Sequence, residues 1–392
     1  MPIGDELGEG KVEWLKLPQD LQGRFFELAE EESRKIAESV RELADELRRA
    51  SELLRFEPLP EGEEGFTVAA VDGSRSPRLS ERLGVRYGVF SAGVVYLGKG
   101  GRREEFRAGT FKRRQVFSAD RSKHFFDLLT VSVERDLALR ALKEADLVLV
   151  DGSFYGFMYS ALKAKEEGFL GEEEARLVRE IADATSELVR SGRAVGIVKR
   201  SHTRVIGGYV ALRDPGTRLK SVLDKMILSY SMPPRTYVDY RALIGDEHPQ
   251  VYTNVARLIM WGKGGSDVMD VARRNAFRAF RELGIDSSHF SRLRRMQVRA
   301  HPGAPVCEVE FPADADLGRI LGIMGGEGFF NEATNLPMAL DLVDSEVELP
   351  VKFTEEFVEE VEGRALERIL RAGEGVDVLR IFFSLMNPQK PM

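Results

Sequence analysis

The stretches FTVAAVDGS (Phe66–Ser74) and ADLVLVDGS (Ala145–Ser153) each run through apolar residues into the same tetrapeptide, Val-Asp-Gly-Ser. Apolar residues on both faces are typical of a strand buried inside a sheet. The glycine after each aspartate allows the chain to leave the sheet sharply. The pattern therefore predicts two buried strands that end at Asp72 and Asp151, with both carboxylates at one sheet edge if the strands are neighbours.

The remaining chain predicts an α/β protein with a mixed sheet flanked by helices. Strands are expected over 66–72, 85–98 and 104–111 as three sequential antiparallel strands, and over 146–151, 194–199 and the pair within 296–312. Helices are expected over 118–145, 171–191, 219–229 and 266–283, with two more at the C-terminus. Helices that alternate with strands cover both faces of such a sheet.

Three parts are predicted along the chain. An N-terminal helical arm spans 1–60, because apolar residues recur at helical spacing among many charges over 21–54. The main domain spans 66–350 and includes a helical insertion at about 215–290, and a C-terminal helical segment covers 351–392. The arm is expected to pack on the domain or to form a dimer contact.

Composition narrows the chemistry of any site. The 392 residues contain one cysteine and five histidines without a short metal-ligand spacing, so a zinc site built on several thiolates is excluded. Any metal is therefore expected to be a hard ion on carboxylates. No apolar run approaches the roughly 20 residues that cross a bilayer, and we expect a cytoplasmic protein without membrane contact. The net charge of −7 excludes a broadly basic nucleic-acid-coating protein, although basic residues cluster locally at 112–114, 199–204 and 292–299.

Two further residues, Glu134 and Lys199, join the two aspartates as candidates. Glu134 lies among apolar residues of a predicted helix between the two tetrapeptides, which favours a position over the strand ends, although a solvent-exposed glutamate paired with an arginine is the alternative. Lys199 closes the third apolar run, AVGIVK, and is a candidate phosphate-binding cation. Three carboxylates of this kind can hold two Mg²⁺ or Mn²⁺ ions for phosphodiester hydrolysis.

The order of strand-Asp-Gly-Ser, two strands, helix with Glu, strand-Asp-Gly-Ser and strand-Lys-x-Ser resembles the NurA nucleases over roughly 66–349. The resemblance implies an RNase H-like fold, with Asp72, Glu134 and Asp151 as manganese ligands and Lys199 as an active-site cation. It also implies 5′ to 3′ exonuclease and single-strand endonuclease activity on DNA, a ring-like homodimer, and a HerA-type hexameric ATPase partner in the resection of double-strand breaks.

One motif departs from the family pattern. The family ends its site with a segment resembling Tyr-Pro-x-x-Leu-x-x-Ala-His, where this chain has LPMALDLVD over 336–344. Leu336 replaces the tyrosine and Asp344 replaces the histidine. We expect Asp344 to enter the site in its place, either bound to metal or protonated, and a solvated aspartate at a helix end is the alternative. His301 is predicted to lie in a turn, and the segment 290–299 is either a DNA-lining stretch or a basic helix end.

Two other functions fit the sequence less well. A catalytically weakened DNA-channel or motor-regulating subunit is favoured by Leu336 and Asp344. A phosphotransferase with the same sheet is disfavoured because the chain has no P-loop.

Overall fold

A computed structural model describes residues 17–82, 85–114 and 120–386. The predictions for the first 16 residues of the arm and for residues 387–392 lie outside the described residues. The described strands are β1 (Glu57–Pro58), β2 (Val68–Arg75), β3 (Ser80–Arg82), β4 (Val85–Leu97), β5 (Arg103–Arg114), β6 (Leu147–Asp151), β7 (Ala194–Val198), β8 (Thr236–Asp239), β9 (Leu293–Arg299) and β10 (Cys307–Pro312).

These ten strands form one sheet in the order β1-β8-β9-β10-β7-β6-β2-β4-β3, with β5 paired to β4. The neighbours β2, β6 and β7 run parallel. The other pairs are antiparallel, including β2 with β4 and β10 with β7. The predicted mixed sheet of an RNase H-like α/β fold is confirmed.

Fourteen α-helices flank the sheet within the described residues. They are α1 (Gln19–Glu52), α2 (Asp120–Ala141), α3 (Phe157–Glu166), α4 (Glu172–Arg190), α5 (Val205–Ala211), α6 (Asp224–Ser231), α7 (Arg241–Ile244), α8 (Pro249–Met260), α9 (Val268–Ala276), α10 (Arg278–Leu283), α11 (Leu317–Met324), α12 (Met338–Val347), α13 (Phe353–Arg371) and α14 (Val376–Met386). No described helix is long and apolar enough to cross a membrane.

The central strands are buried on both faces because their side chains alternate between two cores. In β2, Ala69 and Val71 pack in the core that includes helices α2 and α4. Val68 and Ala70 point the other way, into a core shared with α11 and α12. Helices from distant parts of the sequence therefore meet at opposite faces of the same strand.

Several predicted elements differ from the structure. The expected helix over 219–229 is a 3₁₀ turn at Arg218–Ser221 followed by α6. The expected helix over 266–283 is divided into α9 and α10, because Phe277 has φ −116° and ψ 24°. Four helices rather than two follow β10, and strand β8 was not predicted. Four-residue β8 is too short for a clear alternation of apolar and polar residues.

Candidate active site

The register of the parallel strands places the two aspartates side by side. Val71 of β2 pairs with Val150 of β6, so the next residues, Asp72 and Asp151, are neighbours across the two strands. Asp72 follows Val68 and Ala70 on one face of β2, and Asp151 follows Leu147 and Leu149 on the same face of the sheet. The predicted proximity of the two Val-Asp-Gly-Ser copies is therefore present.

Lys199 joins the aspartates because strand β7 is the next parallel neighbour. Its side chain has the same facing as Val195 and Ile197, which line the core under α12. The Lys199 Nζ atom lies 2.8 Å from Asp72 Oδ2 and 3.6 Å from Asp151 Oδ1. The ammonium of Lys199 is thus the cation between the two carboxylates.

Asp344 completes this cluster from the covering helix. Leu340 and Val343 of α12 are fully buried in the core on that face, which turns Asp344 toward the strand ends. Its Oδ1 atom lies 3.1 Å from Lys199 Nζ, and its side chain is 61% exposed. The structure therefore places Asp344 next to the aspartates, at the open side of the cluster.

Glu134 reaches the same region from the opposite face of the sheet. It is buried on α2, and its Oε1 atom lies only 2.6 Å from where a Cβ of Gly73 would stand. The solvent-exposed alternative is wrong, although the Arg135 part of that alternative is present as a 3.6 Å contact between Arg135 Nη1 and Glu134 Oε2. The absence of a side chain at Gly73 is what gives the Glu134 carboxylate its place.

The two glycines of the repeated tetrapeptide have different roles, which corrects the prediction of two strand ends. Strand β2 continues through Gly73 to Arg75, paired with β4 along its length. Gly152, in contrast, has φ +79° at the end of β6, in the left-handed region that favours glycine. Only the second copy therefore leaves the sheet at its aspartate.

Burial and mutual repulsion dominate the electrostatics of the cluster. Burial, together with the charge of Asp151, raises the pKa of Asp72 to about 9 despite the contact with Lys199. Burial raises the pKa of Glu134 to about 7. Burial alone would lower the pKa of Lys199, but Asp151 and Asp72 outweigh it and hold that pKa well above its usual range. The carboxylates of the site thus carry more negative charge than the single positive charge of Lys199 can balance.

Asp344 has the opposite behaviour. Its partial burial favours a raised pKa, but hydrogen bonding with Asp72 and with Lys199, and the charge of Arg200, hold the pKa of Asp344 below its ordinary value. The sequence argument expected a metal-bound or a protonated Asp344. In the structure the nearby lysine and arginine compensate an ionised Asp344 instead.

The carboxylates of the cluster are the residues that could hold a divalent ion. Among the described residues, no group of three or more His, Cys, Asp or Glu side chains is assembled as a metal site, because Lys199 stands between the aspartates. The donor set is nevertheless the oxygen-only kind that Mg²⁺ and Mn²⁺ prefer. The buried Asp151 Oδ1 atom has no hydrogen-bond partner. An unsatisfied buried carboxylate oxygen beside Asp72 fits a hard cation.

Sequence reasoning missed a buried polar network that supports the segments following Asp151 and Lys199. Glu310 of β10 accepts hydrogen bonds from Ser153 Oγ (3.0 Å) and Phe154 N (2.8 Å), just after Asp151. Glu308 accepts from Ser201 Oγ at 2.6 Å, just after Lys199. Arg295 of β9 pairs with both glutamates, at 2.7 Å to Glu308 and 2.8 Å to Glu310. The alternating Glu residues of CEVEFP are the sequence signal for one polar face.

Three other expectations are settled by burial and contacts. The segment 290–299 is a 3₁₀ turn, Phe290–Arg292, followed by strand β9, with Phe290 fully buried and Arg295 held in the network. His301 Nε2 lies 3.1 Å from the Phe330 carbonyl oxygen, in a turn as predicted. Leu336 packs against the core under α12. Neither His301 nor Leu336 supplies a polar atom to the cluster.

Comparison with known proteins identifies the family. The NurA domain matches residues 66–279, more than half of the chain. The NurA nuclease of Sulfolobus solfataricus has a similar structure, with a TM-score of 0.55 and 16% sequence identity over 90% of this chain and 99% of that chain. Another NurA structure and a NurA structure with manganese have TM-scores of 0.46 and 0.44, each at 14% identity, over 87% and 84% of this chain and 97% of theirs. No curated protein matches in sequence. The chain belongs to the NurA family.

Proposed function

We propose that this protein is a metal-dependent deoxyribonuclease that hydrolyses phosphodiester bonds. The observation that carries the proposal is the pair of aspartates, Asp72 and Asp151, side by side on neighbouring parallel strands and both in contact with Lys199. Buried, mutually repelling carboxylates are costly to a fold and are typical of functional sites. The fold and the family both support this reading.

Asp72 and Asp151 would hold Mn²⁺ or Mg²⁺, and Glu134 would be the further ligand that allows two ions. When bound, such ions supply an activated water and stabilise the leaving oxygen. The protein's own residues would position the ligands of these ions. Gly73 leaves room for the Glu134 carboxylate. Glu310 and Glu308 fix the backbone that follows Asp151 and Lys199.

Lys199 and Asp344 would have complementary roles. Lys199 neutralises the aspartates and offers its ammonium to a phosphate oxygen of the DNA. Asp344 contacts that ammonium from the open side, where it would orient Lys199. It stands where the family pattern has a histidine, so the site would lack a histidine step in its pH profile.

The finer parts of the function follow from the family pattern in the sequence. They are 5′ to 3′ exonuclease and single-strand endonuclease activity, homodimer formation, and DNA end resection together with a HerA-type hexameric ATPase. One feature of the fold supports a protein partner. Helix α1 leaves large apolar side chains exposed, including Phe26 at 63% and Ile36 at 62%.

The decisive experiment is cleavage of end-labelled single-stranded DNA with Mn²⁺, Mg²⁺ or EDTA. Asp72→Asn and Asp151→Asn should each reduce cleavage by more than about 100-fold, since loss of even an outer-shell group costs about 10–100-fold. Asp183→Asn, on the exposed face of α4, is the matched control and should cleave as the parent does. Equal cleavage by Asp151→Asn and by the control would refute the proposal.

A second candidate is a catalytically weakened subunit that binds DNA and regulates a motor. It is favoured by Lys199 standing between the aspartates and by Leu336 lying in the core instead of offering a phenol. This reading predicts DNA binding and a change in the translocase ATPase rate without Mn²⁺-dependent cleavage. The same assays therefore separate the two candidates.

A further inference from the structure

A cavity of about 260 Å³ opens past the ends of β6 and β7. Its walls come from the segment after Asp151, from the segment after Lys199, and from helix α8. The lining side chains that face a ligand are Tyr155, Tyr159, Arg200, His202, Gln250 and Arg257. The volume lies just below the roughly 300–1,000 Å³ of typical small-molecule pockets. One nucleotide is a ligand of suitable size, and two walls of the cavity directly follow Asp151 and Lys199 in the chain.

The cavity carries positive charge that the described part of the chain neutralises only in part, since the charge of Arg200 also acts on Asp344. Arg295 at its inner wall is paired with Glu308 and Glu310. Arg200 and Arg257, in contrast, have no ion pair with any described carboxylate, and Arg200 is exposed. Gln250 and Arg257 are seven residues apart on α8, so they share one helix face toward the cavity. Unpaired guanidinium groups of this kind are suited to phosphate.

An aromatic surface accompanies these charges. Tyr159 is 44% exposed at the mouth, and its ring centroid lies 6.3 Å from that of Tyr155. Tyr155 itself is buried, and its hydroxyl accepts a hydrogen bond from Arg295 Nη2 at 2.9 Å. Tyr155 is therefore fixed in place, whereas Tyr159 has a free face. Arginines next to an exposed ring are the combination that binds single-stranded nucleic acid by backbone contact and stacking.

We propose that this cavity binds the nucleotide next to the cleaved bond in single-stranded DNA, with Arg200 and Arg257 on its phosphate and Tyr159 stacked on its base. This assignment rests on the proposed nuclease function and adds the residues that select an unpaired strand. A paired base is already stacked within its duplex, so its face is not available to Tyr159. The cavity therefore favours single-stranded ends over blunt duplex.

Binding is measured separately from cleavage, by fluorescence anisotropy of a labelled oligothymidylate with the full chain in EDTA. Tyr159→Ala should weaken binding about tenfold, whereas Tyr159→Phe keeps the ring and should bind as the parent does. Arg257→Ala should weaken binding and lower the slope of log affinity against log salt by about 0.7, the contribution of one contact to a single strand. Arg257→Lys should retain most of that slope.

The matched control is Arg190→Ala. Arg190 is exposed at the end of α4 and precedes β7, so it lies at the sheet edge opposite to Lys199. If Tyr159→Ala and Arg257→Ala bind the oligonucleotide as tightly as Arg190→Ala does, while the parent binds and cleaves DNA, the cavity assignment is overturned and the nuclease proposal stands. A parent protein that neither binds nor cleaves DNA refutes the nuclease proposal instead. If Arg257→Ala fails to melt cooperatively, the exposed Arg200→Ala replaces it in the same test.

Discussion

The two copies of Val-Asp-Gly-Ser have the same sequence and hold their aspartates by different means. The first copy lies inside β2 and is paired with β4 through Arg75. The second copy ends β6, turns at Gly152, and is held by a hydrogen bond to Glu310. Backbone pairing fixes Asp72, and a buried side-chain network fixes Asp151. A repeated motif thus indicates where the carboxylates lie but not what keeps them there.

The largest test of this difference removes the support of the second copy. Glu310→Ala deletes the acceptor for Ser153 and Phe154 and leaves Arg295 with one buried partner fewer. Breaking a buried pair of this kind costs about 3–5 kcal/mol. We expect a loss of this size in the free energy of unfolding measured with urea. Glu173→Ala on exposed α4 should change it by less than about 0.5 kcal/mol, and a similar small change for Glu310→Ala would contradict the described support.

Replacing each of the two glycines by alanine separates their roles. Gly73→Ala pushes a Cβ into the Glu134 carboxylate. The same Cβ also meets Cγ2 of the buried Thr130 at 2.9 Å, so we expect a loss of stability of about 1–3 kcal/mol from overpacking. We also expect a loss of cleavage of about 100-fold, the cost of a misplacement of about 1 Å. Gly152→Ala meets no atom but is held at φ +79°, so it should cost about 1–2 kcal/mol of stability.

A double substitution checks the cause. Glu134→Ala removes the carboxylate and the Cγ atom that a Cβ at position 73 would meet, and leaves the contact with Thr130 Cγ2 at 2.9 Å. Gly73→Ala should then add little further loss of cleavage in the Glu134→Ala background, whereas Gly152→Ala should destabilise both backgrounds equally. An equal effect of Gly73→Ala on cleavage in both backgrounds would show that Glu134 is not what Gly73 accommodates.

The region around the second copy should also be the one that loses stability in acid. His248 caps α8 by accepting from Gln250 N, and its ring lies 5.8 Å from that of Tyr155. Burial, with the charges of Arg295 and Arg294, lowers the pKa of His248 from 6.5 to about 3. Because of this lowered pKa, His248 binds a proton in the unfolded chain at pH values at which it stays neutral in the folded chain. The contribution of the neutral His248 to the free energy of unfolding is therefore present above pH 6.5 and is lost as the pH falls toward 3.

His248→Asn keeps a capping side chain that does not titrate. Relative to this variant, the parent should lose about 2 kcal/mol between pH 7 and pH 5, as followed by urea unfolding at each pH. Comparing the two slopes removes the contributions of other titrating groups. Parallel slopes would mean that His248 is protonated in the folded protein.

The smallest effect is expected at the first copy. Ser74 Oγ accepts a hydrogen bond from Leu349 N at 3.2 Å, which joins β2 to the segment after α12. Ser74→Ala should cost about 0.5–1.5 kcal/mol in urea unfolding, the value of an ordinary hydrogen bond. The ladder with β4 remains, so cleavage should be unchanged. A loss of cleavage with Ser74→Ala would show that pairing alone does not hold Asp72.

The sequence predicted the sheet and the positions of Asp72, Asp151 and Lys199 because each closes a regular apolar pattern, whereas the position of Asp344 was predicted from the family resemblance. The continuation of β2 past Asp72 was not predictable from that pattern, since Asp-Gly-Ser usually marks a turn and pairing with β4 overrides this tendency. The Glu308 and Glu310 network was also missed. Nothing local shows that a strand with two glutamates is fully buried, because Ser153 and Ser201, which donate to them, lie in loops over 100 residues away.

The ladder of hydrogen bonds along β2 also limits where insertions and deletions can be accepted during evolution. Side chains alternate along a strand, so deleting one residue between Val68 and Val71 would turn Asp72 toward the α2 face and away from Lys199. An insertion beyond Gly152 has no such effect, since β6 has already ended there. Homologous chains that retain the activity should therefore show a constant spacing within β2, and gaps should gather after the second tetrapeptide.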